Sequence, residues 1–156
     1  MEHLLGHLSH YLAGTAACRL IQSSAWMIPA FQTVHILAIS VIFSSAILLN
    51  LRVLGLVERD APLAQAANRF LPALWTTVPL AVATGVLMIV GEPRRALMNE
   101  SFHLKMLLLL IALAATALTR RTVRAGGGGR ALAVLSMLVW AGVIFAGRWI
   151  AYSQPG

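Results

Sequence analysis

Charge is scarce in this chain. Of its 156 residues only 11% are charged, whereas 59% are hydrophobic. Soluble domains carry about a quarter charged residues, so composition alone comes close to excluding a soluble globular enzyme. Acids are scarcest: Asp and Glu number 5 against 12 Lys and Arg, giving a net charge of +7. The acids, Glu2, Glu58, Asp60, Glu92 and Glu100, all fall in tails or expected loops. That placement disfavours a proton relay built on intramembrane carboxylates. The lone cysteine, Cys18, rules out an intramolecular disulfide and a CxxC metal site. No Walker loop, GxSxG or HExxH motif is present. The basic excess does not read as a nucleic-acid surface either, because the Arg and Lys residues punctuate apolar runs instead of clustering on one face.

Long apolar runs dominate, and they predict an all-α integral membrane protein: a four-helix bundle preceded by an amphipathic interfacial helix. Residues 1–22 form the interfacial segment, with Leu4, Leu8 and Leu12 on one side and His3, His7 and His10 on another. Gly6 and Gly14 weaken it. Arg19 follows the apolar residues instead of preceding them, the wrong order for a cleavable signal peptide. Residues 23–156 form the bundle, with spans expected at 26–57, 71–90, 102–118 and 131–152. Trp26 suits the headgroup belt and Pro29 a first helical turn. Glu58 to Arg69 reads as a loop, and Pro79 as a kink in the second span. Thr119 to Arg130 reads as a basic loop with four consecutive glycines acting as a flexible hinge.

Four spans place both termini on one side. The opposite side then holds Arg52, Arg59, Arg69, Arg120, Arg121, Arg124 and Arg130, against Arg19, Arg94, Arg95, Lys105 and Arg148 on the terminal side. The positive-inside rule puts the arginine-rich side in the cytoplasm of a bacterial inner membrane and both termini in the periplasm.

Polar and ionisable groups at membrane depth are costly, so each raises a functional hypothesis. His35 lies about 13 Å along the first span, Lys105 about one turn into the third, and Arg148 about one turn before the end of the fourth. The span directions put all three in the same leaflet. Gln32 shares the His35 face, as do Ala38 and Ala46, small enough for close helix packing or a flat ligand. An imidazole in hydrocarbon with two cations nearer the surface suits haem b: His35 as axial ligand to the iron, Lys105 and Arg148 holding propionates, Gln32 orienting or hydrogen-bonding nearby. His103 is the alternative ligand. On an ideal helix it lies about 200° from Lys105, so the two do not easily serve one pocket. The bland readings are a His35 bonded only to a neighbouring helix and cations that snorkel to headgroups. Copper is the alternative cofactor, with Met27, Met98 and Met106 and the His3, His7 and His10 stripe as soft and imidazole ligands. Ordinary core packing accounts for the methionines equally well. A cofactor-free accessory subunit of a larger membrane complex is the third reading, and a periplasmic redox partner accompanies the first.

The stretch Trp26-Met-Ile-Pro29-Ala-Phe-Gln-Thr-Val-His35-Ile-Leu-Ala, then Leu51-Arg52-Val-Leu-Gly55-Leu, resembles the first span of a family of small bacterial membrane proteins of unknown function. The pattern continues in Asn99-Glu-Ser-Phe102-His-Leu-Lys105-Met-Leu-Leu and Ala146-Gly147-Arg148-Trp149-Ile-Ala. More distantly, a His in the first span and a Lys early in the third resemble HemJ-type protoporphyrinogen oxidase and the membrane domain of CopD. That resemblance implies a four-helix bundle associated with haem or copper. It carries over onto His35 and Lys105, less directly onto Arg148, and not onto His103.

Overall fold

In the computed structural model, which describes residues 2–57, 60, 62–127, 129–149 and 152, each apolar run becomes one long helix. These are α3 (Met27–Val53), α4 (Leu63–Gly91), α6 (Glu100–Arg124) and α7 (Arg130–Trp149). Three shorter helices, α1 (Glu2–Ala13), α2 (Ala16–Gln22) and α5 (Pro93–Leu97), complete an all-α fold with no strand among the described residues. At 1.5 Å per residue the long helices measure about 30 to 43 Å, enough to cross a hydrocarbon core of about 30 Å. By length and composition all four could cross a membrane. Their outer faces fit that solvent: Leu110, Leu138 and Phe145 are 64%, 66% and 78% exposed. The chain is a multi-pass membrane protein built as a helical bundle.

Two antiparallel hairpins make up the bundle. The most extensive packing is α3 on α4, then α6 on α7; α3 against α7 joins the hairpins, and α4 touches α6 only lightly. The inward positions are small. Ala38, Ala46, Ala66, Ala67, Ala112, Ala115, Ala133 and Ala146 are all buried, which lets backbones approach where no hydrophobic effect drives helices together. Between them sits a core of Ile42, Ala46, Leu74, Ala112, Trp140 and Val143, one or more from each long helix. Trp140 is wholly buried, and its indole N–H donates to Thr116 Oγ1 at 3.1 Å. Asn50 Nδ2 donates to Ser136 Oγ at 3.1 Å, tying α3 to α7.

Several boundaries differ from the expected ones. α4 begins at Leu63, inside the segment read as a loop. The residues from Leu63 to Ala67 are good helix formers, and a helix continues through the headgroup zone without needing apolar residues there. It also runs on through Pro72 and Pro79 without a break in helical assignment. α6 likewise outlasts its apolar run, ending at Arg124. Its end, like that of α3, is a Schellman motif. Gly55 takes φ +76° after α3, where the Leu56 N–H bonds Leu51 O at 3.0 Å. Gly126 takes φ +74° after α6, where the Gly127 N–H bonds Thr122 O at 2.9 Å. The glycine run thus supplies a helix stop as well as a connection. Arg130 Nη2 then donates to Leu54 O at 3.2 Å, pinning the start of α7 to the end of α3.

The expected single N-terminal helix is two helices. The break comes at Gly14, and Thr15 caps α2 by accepting from the Cys18 N–H at 3.2 Å. α1 packs on α5 and α2 on α4. The face of α1 turned inward carries Leu5, Ser9 and Leu12; Leu4 and Leu8, assigned with Leu12 to one stripe, are exposed. Gln22 Nε2 donates to Gly91 O at 2.8 Å, so α2 latches onto the end of α4. Glu58, Arg59, Gly128, Ile150 and Ala151, which belong to the expected loops and fourth span, lie outside the described residues.

Candidate functional site

One end of the bundle gathers polar groups at membrane depth, where α3 and α6 begin and α4 and α7 end. His35 lies about 12 Å along α3 from Met27, and Thr84 about 10 Å from the end of α4 at Gly91. The two helices therefore bring these residues to one layer. His35 Nδ1 and Thr84 Oγ1 are 2.9 Å apart. The threonine proton is committed to its own helix, facing Leu80 O at 2.8 Å and Ala81 O at 3.1 Å. Its oxygen is therefore placed to accept from Nδ1–H. With the proton on Nδ1, the neutral ring keeps its lone pair on Nε2, which makes no hydrogen bond among the described residues. Gly85 faces the ring: a Cβ there would stand 3.4 Å from His35 Cε1, an ordinary contact.

Lys105 enters the same layer from α6. Its half-buried side chain crosses Gly147 of α7, with Cδ, Cε and Nζ at 3.7, 3.6 and 3.9 Å from where a Cβ on that glycine would sit. No acid pairs with Lys105 among the described residues: Glu92 bridges to Arg95 at 3.1 Å and Glu100 is exposed. Gln32, half-buried on the His35 face, makes no hydrogen bond among the described residues. This end therefore presents a bare imidazole nitrogen, an ammonium without a counter-ion and an uncommitted amide. Unpaired polar groups away from water are costly, so the layer is suited to a ligand that brings an anionic group and an electron-pair acceptor.

Other expected residues stand outside it. Arg148 is exposed: its Nη2 donates to the Tyr152 hydroxyl at 3.0 Å and its guanidinium stacks 5.2 Å above that ring. His103 is exposed with its ring edge-on to Phe102, while Lys105 is half-buried, as their angular separation on the helix requires. His3 and His7 stack at 6.3 Å on the outer face of α1. Among the described residues no three His, Cys, Asp or Glu side chains gather as a metal site. Met98 and Met106 are exposed.

Thr84 and Gly85 escaped the sequence reading, which gave Gly147 no role beyond its motif and weighed ionisable, amide and thioether groups but no hydroxyls. A hydroxyl beside a glycine at the same depth as His35, in the helix that pairs with α3, was the available signal.

The family of unknown function DUF6644 matches residues 24–153. The chain belongs to this family. The match covers every long helix and begins after α2, so both the His35 layer and the bundle core are within the DUF6644 region. No curated protein and no solved structure matches the chain. The likeness to HemJ-type oxidases and to CopD is thus not among what the comparisons support, whereas the kinship with a family of unknown function is.

Proposed function

We propose that this DUF6644 protein binds haem b in the leaflet nearer its N-terminus, for electron transfer or porphyrin-linked redox chemistry. The observation that carries the reading is the His35 ring, whose Nδ1 lies 2.9 Å from Thr84 Oγ1, so that Nε2 is the nitrogen free to bind a metal. Metal-ligating histidines are oriented in this way, the second nitrogen donating to a protein acceptor. The donor set fits the group. His35 would hold the iron through its imidazole nitrogen. Lys105 would offset the charge of one propionate, and Gln32 would hydrogen-bond at the rim. When bound, haem supplies one-electron redox chemistry, while the protein's own residues orient the imidazole and place a positive charge beside it. Arg148, turned toward Tyr152, serves a propionate only if it leaves that ring. The arginine-rich end faces the cytoplasm of a bacterial inner membrane on the positive-inside rule, so the site belongs to the periplasmic leaflet and to a redox partner on that side.

The test is the optical spectrum and pyridine haemochrome of the purified protein and three variants. A Soret band is expected in the wild type. His35→Ala should abolish it while the bundle stays folded, because removing an imidazole from an apolar helix lowers the cost of insertion. Lys105→Met should reduce retention, and His103→Ala should leave it unchanged. Loss of haem in His103→Ala with retention in His35→Ala would overturn the assignment. Copper in the wild type by elemental analysis would move the reading to copper handling, and the absence of both to an accessory subunit.

A further inference from the structure

The light contact between α4 and α6 leaves a feature at the arginine-rich end that is independent of the His35 layer. An open cleft of about 240 Å³ lies there, lined by Ala67, Asn68, Leu71, Pro72, Trp75 and Arg120. Its inner wall is apolar, with Ala67 and Leu71 buried. Asn68 and Pro72 are exposed on the outer surface of α4, so the cleft opens sideways between two helices and not at the end of the bundle. Trp75 lies about 18 Å along α4 from Leu63, deep enough to reach the apolar part of that helix. Arg120, half-buried on α6, makes no ion pair or hydrogen bond among the described residues. Arg121, Arg124 and Arg130 stand on the neighbouring helix ends, and the one described acid at this end is Asp60.

We propose that this cleft holds the headgroup of an anionic phospholipid from the leaflet at the arginine-rich end, with Arg120 as the phosphate contact. A guanidinium presents paired N–H donors to phosphate oxygens. Basic pockets between membrane-spanning helices are suited to anionic headgroups. The lateral opening and the Leu71 and Trp75 wall favour a lipid over free phosphate, because the glycerol and acyl portion would cover apolar surface that a soluble anion leaves bare.

The experiment is native mass spectrometry of the full chain after exchange into vesicles of phosphatidylglycerol or of phosphatidylcholine. The wild type should retain phosphatidylglycerol in preference to phosphatidylcholine. Arg120→Gln should cut that preference about fivefold, whereas Arg124→Gln, the same charge change outside the cleft, should leave it close to wild type. Asn68→Phe, which obstructs the mouth from an exposed position and alters no charge, should also lose the lipid; it decides the matter if Arg120→Gln does not fold. Equal effects of Arg120→Gln and Arg124→Gln, equal retention of the two lipids, or displacement of phosphatidylglycerol by excess inorganic phosphate would each overturn the proposal.

Discussion

At the arginine-rich end, Asn50 donates to Ser136, Arg130 reaches the Leu54 carbonyl, and Schellman motifs close both α3 and α6. At the opposite end, Gln32, Lys105 and Nε2 of His35 sit half-buried with no hydrogen-bond or ion-pair partner among the described residues. Among the described residues, the arginine-rich end uses polar groups close to the helix termini to hold helices together, while the other end ties His35 to Thr84 and leaves Gln32 and Lys105 open. Polar side chains at membrane depth are therefore of two kinds here. Paired ones act as cross-helix ties, each contributing about 0.6 kcal/mol on average; unpaired ones keep their bonding capacity open. The indole N–H of Trp75, buried without a partner among the described residues, and Arg120 are exceptions at the arginine-rich end, and both line the cleft there.

The comparison can be broken first at the core that separates the two ends. Trp140→Ala removes a fully buried side chain touching helices from both hairpins and should cost about 3 to 5 kcal/mol, read as a lowered unfolding midpoint in detergent by circular dichroism. A cost below about 1 kcal/mol would show that the hairpins do not depend on that core. The next test sharpens the open end. Thr84→Val keeps the shape but removes the acceptor for His35 Nδ1–H, and should weaken cofactor binding about 10- to 100-fold in a spectroscopic titration. Thr84→Ser should restore most of it. Identical binding by the Val and Ser variants would mean that the hydroxyl does not orient the ring. The smallest effect is expected at the closed end: Ser136→Ala should lower stability by roughly 0.6 kcal/mol and by no more than about 1.7, with cofactor binding unchanged. A large loss of cofactor there would erase the distinction between the ends.

The spans were legible because their signal is local. A run such as Met106 to Ala115 is apolar on every face, so its fate is decided by transfer into lipid, whatever its neighbours are. Helix ends were less so: α4 starts at Leu63 and α6 stops at Arg124, because hydrogen bonding of the backbone continues where hydropathy has already ceased. The N-terminal segment was half legible. Gly14 does interrupt it, but the inward face proved to be Leu5, Ser9 and Leu12, since α5, a helix with no apolar run to announce it, supplies the surface on which α1 rests.

The same line divides the site. Composition and span direction suffice to place His35 and Lys105 in one leaflet and to turn His103 away from Lys105, because helical geometry is fixed by chain position alone. Which residues face them is a matter of rotation and register between helices that are distant in the chain. Only the packing of α3 on α4 sets Thr84 at 2.9 Å from His35, and only that of α6 on α7 lays Lys105 across Gly147. Arg148, at the right depth by counting, is one position further round α7 and bonds Tyr152 instead. Sequence determines that this protein crosses a membrane and at what depth its polar groups lie, for both follow from the rise per residue and the cost of burying charge; tertiary structure alone decides which of those groups meet, because that depends on close contact between helices that share no local sequence signal.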